Sequence, residues 1–477
     1  MSLIIYDIVF LVAFAIFVSV FLYTRKHNLK KEGLLFLYKA QWGIKLIDYI
    51  GNKSPRTFKI LSWISVSIGY LLMATAFYLV WGILRIYLFN PEAVRQIKVP
   101  PITPIVPYID KLIPNLGLPP FYFIYFIVII AIIAITHEFA HGIFAAYNKV
   151  RIKSTGFGFF PFFLPVFLAA FVELDEKKMA KKSIFGQLAI LSAGTFANVL
   201  TAIFFFVILL GYFSIAFTPS GVIYDVYPYS IVEASGITMI NGIALNNPSY
   251  SEILDLTNEE KFNKIKVNGI DYLATTNILE DQKDNEGIIR LYYDAPAINI
   301  DLESVILKID GKQIGSVSEL ESRLSEYSSG DEIILTVLDD DNEEFDRKIT
   351  LGDHPEKDKA WLGIGFSEPR SRTGVLGKVF VALSSFKDKN IYYKESVKEF
   401  SLFFYDFLWW IVLISLSVAL VNMLPVGIFD GGRFFYLTVL AITGKEKIAR
   451  KAFSFSTYFF LFVVLVLMFY WAKSLFF

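Results

Sequence analysis

Cysteine is absent from this chain of 477 residues, and histidine is scarce, with only four copies. Without a thiol the chain forms no disulfide and holds no metal on thiolate ligands. The 45 basic and 45 acidic side chains cancel to a net charge of zero. Nucleic-acid binding, which needs a basic surface, therefore has no support in the composition.

Apolar side chains, by contrast, are abundant and lie in long runs. They make up 55% of the residues, which is too high a share for a soluble protein. About 20 consecutive apolar residues suffice to cross a bilayer as a helix. The sequence therefore predicts a polytopic α-helical membrane protein with about six transmembrane helices. The predicted spans are residues 3–23, 61–88, 121–147, 184–213, 403–424 and 453–471.

Basic residues mark one side of the predicted membrane. They cluster after the first span, in residues 176–182, and in residues 444–451. Loops rich in Lys and Arg stay in the cytoplasm. We therefore expect both termini and the polar segment 218–401 to lie outside. The first span has no basic segment before it, so we expect no cleavable signal peptide.

The third span contains the run His137-Glu138-Phe139-Ala140-His141. On a helix, positions i and i+4 share a face, so His137 and His141 can hold one metal ion. Glu138 lies beside that face and can act as a general base, which is the arrangement of metal hydrolases. Ionisable groups in a bilayer are costly and usually functional. The alternative is a hydrogen-bonded cluster that only packs helices.

The depth of this motif follows from its place in the span. At 1.5 Å per residue, the two histidines lie roughly 9–15 Å below the cytoplasmic surface. We therefore expect a metal site inside the bilayer, nearer the cytoplasm.

Residues 156–171 are strongly apolar but contain Pro161 and Pro165, so they are too broken to form a spanning helix. A buried re-entrant or extended segment beside the histidines is one interpretation, because irregular backbone at that depth must be covered by protein. An interfacial loop is the other.

Two polar side chains occur in or directly after later spans. Asn198 ends the run Ser192-Ala193-Gly194-Thr195-Phe196-Ala197-Asn198, where small residues allow close helix packing. It makes either an interhelical hydrogen bond or a contact with substrate. Asp430 follows the fifth span on a bent segment with Pro425 and adjacent glycines. It is either a third metal ligand or a turn-capping residue.

Residues 218–401 are too polar to cross a membrane and predict a soluble αβ domain. Asn-Gly or Asp-Gly pairs at 241–242, 268–269 and 310–311 predict tight hairpins. A helix is expected over residues 316–324, and strands are expected on either side of an acidic turn at 339–344. The predicted organisation is therefore a membrane core, first half 1–217 and second half 402–477, interrupted by the domain 218–401.

The motifs in order, HEFAH, SAGTFAN and NMLPVGIFDGG after a soluble insert, resemble the site-2 proteases, which are intramembrane zinc metalloproteases. The resemblance implies Zn²⁺ as cofactor, with His137, His141 and Asp430 as its ligands and Glu138 as the catalytic base. It also implies that Asn422 and Asn198 position substrate. Family members carry membrane-dipping strands at the position of the broken apolar segment.

The soluble insert resembles a PDZ domain in two stretches, GVIYDVYPYSIVEASGI and ESVILKIDGKQIGSVSELESRL. About sixty residues, 238–297, separate them and exceed what one PDZ domain needs. The insert is therefore either one PDZ domain with an insertion or more than one copy. Peptide termini are the implied ligands of such a domain.

Three functions are consistent with these features. The first is intramembrane proteolysis, the cleavage of transmembrane segments of membrane-protein substrates. The resemblance implies that this proteolysis is regulated and that the substrates have already been trimmed outside. The second is a membrane metal transporter or sensor, since His and Asp at midplane can pass ions. The third is an inactive relative that acts as a scaffold.

Overall fold

The computed structural model describes residues 3–32, 35–90, 105–112, 118–159, 168–258, 262–282, 287–339, 341–367, 381 and 385–476. The chain divides into two compact units. We call Met1–Phe213 together with Leu402–Phe477 the helical unit, and Ser214–Ser401 the αβ unit.

Six helices in the described residues are long and apolar enough to cross a membrane, which confirms the predicted number. Each helix covers its predicted apolar run to within two residues at either end. Most of them continue beyond the run into polar residues. The helices up to the αβ unit are α1 Leu3–Thr24, α2 Ile44–Lys53, α3 Pro55–Phe89, α4 Ile109–Leu112, α5 Phe123–Tyr147, α6 Glu176–Met179 and α7 Ile184–Ala216. Those after it are α12 Lys398–Asn422, α13 Asp430–Thr443 and α14 Glu446–Phe476.

The start of α5 is fixed by a side chain from another helix. Asp7 of α1 is buried and accepts hydrogen bonds from the backbone N–H groups of Phe123 at 2.6 Å and Ile124 at 2.9 Å. The hydroxyl of Tyr108 donates a third bond to it at 2.7 Å. The first N–H groups of a helix have no partner within that helix, so Asp7 caps α5 in trans. This contact accounts for the single charge in the first span.

A four-stranded antiparallel sheet lies in the helical unit, in the order β1-β2-β3-β4. Its strands are β1 Leu29–Glu32, β2 Leu35–Ala40, β3 Ile152–Phe159 and β4 Leu168–Leu174. The broken apolar segment is therefore extended at both ends, while residues 160–167 lie outside the described residues. A Cβ on Gly156 would come within 2.0 Å of the Tyr38 carbonyl, so the β2–β3 pairing requires glycine there. Sequence reasoning did not anticipate the strands that follow α1.

The αβ unit contains two antiparallel six-stranded sheets with separate cores. The first is formed within residues 229–293 by β6 Tyr229–Glu233, β7 Ile237–Ile240, β8 Ile243–Ala244, β9 Asn263–Val267, β10 Ile270–Ala274 and β11 Ile288–Tyr293. The second combines chain from both sides of it: β5 Phe217–Ile223, β12 Val305–Ile309, β13 Lys312–Gln313, β14 Glu332–Leu338, β15 Glu344–Thr350 and β18 Ile391–Glu395. The first sheet overlaps the stretch 238–297 but begins before it, at Tyr229, so the two do not coincide.

Shorter elements complete the αβ unit. The helices are α8 Tyr250–Asp255, α9 Thr276–Glu280, α10 Pro296–Asn299 and α11 Val317–Leu324, and a small hairpin joins β16 Gly352–Asp353 to β17 Ala360–Trp361. All three predicted tight hairpins are confirmed, with positive φ at both central residues of each turn. Helix α11 is confirmed as well, and the Ser316 hydroxyl accepts a hydrogen bond from the Glu319 N–H at its start.

Candidate metal centre

Helix α5 presents His137 and His141 on one face, as their four-residue spacing predicts. Both side chains are buried, at 8% exposure each. Their Nε2 atoms lie 2.9 Å apart. Two ring nitrogens that approach this closely need a shared proton or a shared cation between them, because two lone pairs repel each other.

Asp430 is the first residue of α13 and reaches the same point. Its Oδ2 lies 3.3 Å from His137 Nε2 and 3.2 Å from His141 Nε2. The chain can fold back here because residues 431 and 432 are glycines. A Cβ on Gly431 would lie 2.4 Å from the Met423 backbone, and one on Gly432 would lie 2.3 Å from the Val426 carbonyl. The carboxylate therefore meets both histidines rather than capping its own turn.

The three donor atoms fit a tetrahedral metal site. Atoms bound at 2.0–2.1 Å in tetrahedral geometry lie roughly 3.3 Å from one another. The observed separations of 2.9, 3.2 and 3.3 Å are close to that value. Two imidazoles and one carboxylate are also a ligand set that leaves a fourth position open. His137, His141 and Asp430 could thus hold one divalent ion.

The second nitrogen of each ring contacts helix α7. His141 Nδ1 lies 2.7 Å from the Ile190 carbonyl, which can only accept, so Nδ1 carries the proton and donates it. Nε2 of His141 is then free to bind a metal. His137 Nδ1 lies 3.0 Å from the side-chain amide of Asn198, which is completely buried. The structure thus gives Asn198 the interhelical contact of its two predicted roles, while its contact with substrate stays a prediction.

Gly194 of α7 makes room for the metal ligands, a role that sequence reasoning missed. A Cβ at this position would lie 2.4 Å from His141 Nε2 and 2.5 Å from His137 Nε2. Any side chain would push the two imidazoles off the point where they meet Asp430. The small-residue run had indicated close helix packing, and the close neighbours include these two rings.

Glu138 is rotated from His137 by about 100° around α5, and its carboxylate contacts the sheet. Its Oε2 accepts a hydrogen bond of 2.8 Å from the Val172 N–H of β4. The carboxylate is half-buried and lines a small cavity with Phe139 and Ala170. Glu138 is therefore next to the ligands in sequence but outside the group of three that converge.

Asn422 is the last residue of α12 and is half-buried. Within the described residues its side chain has no hydrogen bond that would tie it to the histidines or to Asp430. Its proposed contact with substrate remains a prediction.

Comparison with known families gives a match over most of the chain. The model of peptidase family M50 matches residues 125–467, from the first turn of α5 into α14. This stretch covers more than half of the chain and contains all three converging side chains together with Glu138. Comparison with curated proteins gives no match.

Proposed function

Because the chain belongs to peptidase family M50, the site-2 protease family, it is a membrane metalloprotease, and we propose that it is an intramembrane zinc endopeptidase. One observation carries the proposal. Two histidines from one span and an aspartate from a distant turn converge within 3.3 Å, and a glutamate sits next to the first histidine. We propose zinc as the metal because this ligand set and spacing are typical of catalytic zinc sites.

Each side chain has a separate task in the proposed reaction. His137, His141 and Asp430 would hold the ion, which would act there as a Lewis acid that polarises the peptide carbonyl and lowers the pKa of water. Glu138 takes a proton from the attacking water and delivers it to the leaving amine. Its Oε2 accepts the Val172 N–H, which leaves Oε1 as the oxygen that can take the proton.

The substrates that we propose are transmembrane segments of other membrane proteins. A helix hides its carbonyls in hydrogen bonds to its own N–H groups, so the cleaved stretch must unwind first. Strand β4 is the outer strand of its sheet, and Glu138 contacts its backbone. An unwound substrate that paired along this edge would lie beside the base. Cross-linking of a bound substrate to residues 168–172 would support this placement, and cross-linking only elsewhere would reject it.

We propose that both termini and the αβ unit lie outside, with the metal site in the cytoplasmic half of the bilayer. The basic connections predicted to be cytoplasmic support this orientation. Because the chain has no cysteine, single-cysteine variants can be labelled without background. A membrane-impermeant thiol reagent added to intact cells should modify Ser235→Cys and spare Lys181→Cys, both exposed positions. The reverse pattern would invert the topology.

The αβ unit is proposed to act as a PDZ-like module that binds the ends of substrates trimmed outside the membrane. A groove of about 700 Å³ supports this proposal. Leu320 and Leu324 of α11 line one wall, and the segment that includes Trp361 and Ile364 lines the other.

The backbone along this second wall is suited to pairing with a peptide. The Gly365 N–H donates to the Val226 carbonyl at 2.8 Å. The backbone of Ile364, which lines the groove beside this contact, has no hydrogen-bond partner among the described residues and is therefore available to a peptide strand. Full-length protein should bind a labelled peptide more tightly with a free C-terminus than with an amidated one. Equal binding would reject recognition of peptide ends.

The reaction is tested by replacing Glu138. The Glu138→Gln and Glu138→Ala variants should retain zinc because the three ligands are untouched, and they should lose cleavage because the base is gone. Membrane fragments from cells that carry wild type and Glu138→Ala would identify the substrates by difference. A variant that retained proteolysis would contradict the assignment. Zinc flux into liposomes that survived loss of Glu138 would favour a transporter instead.

A further inference from the structure

We propose that Asn198 is a positioning residue for the metal site, whose side-chain oxygen accepts a hydrogen bond from His137 Nδ1–H and so leaves Nε2 free for the ion. This inference rests on the metal site of the proposed function and adds a residue that does not touch the ion. Two features support it: the buried position of the Asn198 amide, and the proton on Nδ1 that the His137 ring requires if Nε2 is to bind a metal.

The position of the proton on the His137 ring follows from its contacts. His137 Nε2 is the atom that meets His141 and Asp430, so it must present a lone pair to bind a metal. A neutral imidazole with a bare Nε2 carries its proton on Nδ1. The group 3.0 Å from Nδ1 must therefore be an acceptor, and the only group that the structure shows there is the Asn198 amide.

The orientation of the Asn198 amide determines whether it can accept this proton. With the amide nitrogen of Asn198 facing Nδ1, its Oδ1 is buried and has no hydrogen-bond partner. A rotation of the amide by 180° exchanges its oxygen and nitrogen within the same outline. Either orientation leaves one amide atom without a partner among the described residues, so the ring decides between them. Only the rotated amide offers an acceptor to Nδ1–H.

His141, the other imidazole ligand, already has an acceptor at the same ring nitrogen. His141 Nδ1 is 2.7 Å from the Ile190 carbonyl, an acceptor that cannot change its role. Asn198 lies two turns further along the same helix and would serve His137 in the same way. Helix α7 then fixes the protonation of both rings. Outer groups of this kind typically change metal affinity by about 10–100-fold when they are removed.

The test measures zinc affinity of the purified full-length chain by competition with a chelating dye, and it does not depend on activity. Asn198→Leu removes the acceptor and should weaken zinc binding by about 10–100-fold. Asn198→Asp can only accept through its carboxylate, so it should remain within about threefold of wild type or bind more tightly. Thr201→Val, on the same buried stretch of α7, is the matched control and should bind like wild type.

The outcomes separate this inference from the proposed function. Wild-type affinity in Asn198→Leu, or an equal loss in Asn198→Asp and Asn198→Leu, would overturn the role of Asn198 alone. A wild-type chain that bound no zinc would overturn the metal site itself. In EDTA all four proteins should unfold cooperatively, with Asn198→Leu somewhat less stable because the buried His137 Nδ1–H then lacks a partner. An Asn198→Leu chain that is already unfolded in EDTA, while Asn198→Asp remains folded, would indicate a purely structural role and count against the inference.

Discussion

Polar side chains are used differently in the two units of this molecule. In the helical unit they are buried and reach across helices: Asp7 of α1 accepts three bonds at the start of α5, and Ser65 and Ser192 lie 2.8 Å apart between α3 and α7. In the αβ unit several of them serve the nearby main chain instead, as Ser316 does at the start of α11 and Ser249 does at the start of α8. The first kind joins distant parts of the chain, and the second kind fixes a local conformation.

This difference determines how much free energy is lost when one of these side chains loses its hydrogen-bond partner. A buried polar group that loses its partner pays the full cost of desolvation, about 1–3 kcal/mol, whereas an exposed group turns to water. Substitutions in the helical unit should therefore have large effects on metal binding or stability. Equivalent substitutions in the αβ unit should have small ones.

The largest effect is expected at Gly194. Gly194→Ala places a methyl group 2.4–2.5 Å from the Nε2 atoms of His141 and His137. The rings must move, and zinc affinity should fall by about 100-fold or more, because loss of groups that only orient the ligands already costs about 10–100-fold. Gly211→Ala, on the same helix, is the control, because a Cβ there comes within 4 Å of none of the described residues. Equal zinc affinity in both variants would contradict the close approach of Gly194 to the ligands.

A smaller effect is expected at Asp7. Asp7→Ala removes the acceptor for the N–H groups of Phe123 and Ile124 and for the Tyr108 hydroxyl. The free energy of unfolding should fall by about 2 kcal/mol, measured by denaturant titration in detergent. Asp7→Asn keeps an acceptor and should lose less. Asp48→Ala, at an exposed aspartate of α2, should change little. If the two alanine variants were equally stable, the cap across helices would contribute nothing.

The smallest effect is expected at Asp310. Its carboxylate accepts hydrogen bonds from the Ile334 N–H at 2.8 Å and the Tyr327 hydroxyl at 2.6 Å. The bond from the hydroxyl is the main reason that the pKa of Tyr327 is raised from 10.0 to about 12. Asp310→Asn tolerates the same positive φ but removes the charge, so it should cost about 1 kcal/mol.

The same pair predicts a pH dependence. Because the folded-state pKa of Tyr327 is raised, its contribution to stability is present below pH 10 and is lost as the pH rises through about 12. In Asp310→Asn the pKa of Tyr327 should return towards 10. Titration of ¹³C-labelled tyrosine by NMR, with Tyr327→Phe to assign the signal, measures this shift. An unchanged pKa in Asp310→Asn would show that the carboxylate is not its cause.

The αβ unit was predictable in its local elements because its signals are local. An Asn-Gly or Asp-Gly pair accepts positive φ at two successive residues, and this alone specifies each of the three hairpins. The separate sheet of residues 229–293 was harder to foresee, since pairing of β6 with β11 depends on residues far apart in sequence.

In the helical unit, the spans and the two histidines followed from the length of the apolar runs and the helical repeat. The bent segment around Asp430 offered it as a third ligand or as a turn-capping residue, and the resemblance to a family favoured the ligand. No local pattern specifies its contact with the histidines, because the residues lie almost three hundred positions apart. The roles of Gly194 and Asp7 could not be predicted. The sequence does not show which residues pack against a glycine, and it does not show which groups a charged residue in a span contacts.

The central claim is that His137, His141 and Asp430 share one divalent ion. It is tested most directly by metal analysis and zinc-edge X-ray absorption of the purified chain beside Asp430→Ala. We expect about one zinc per chain with two imidazole ligands in the wild type, and a loss of most of the metal in the variant. A full complement of zinc in Asp430→Ala, with its coordination unchanged, would contradict the account.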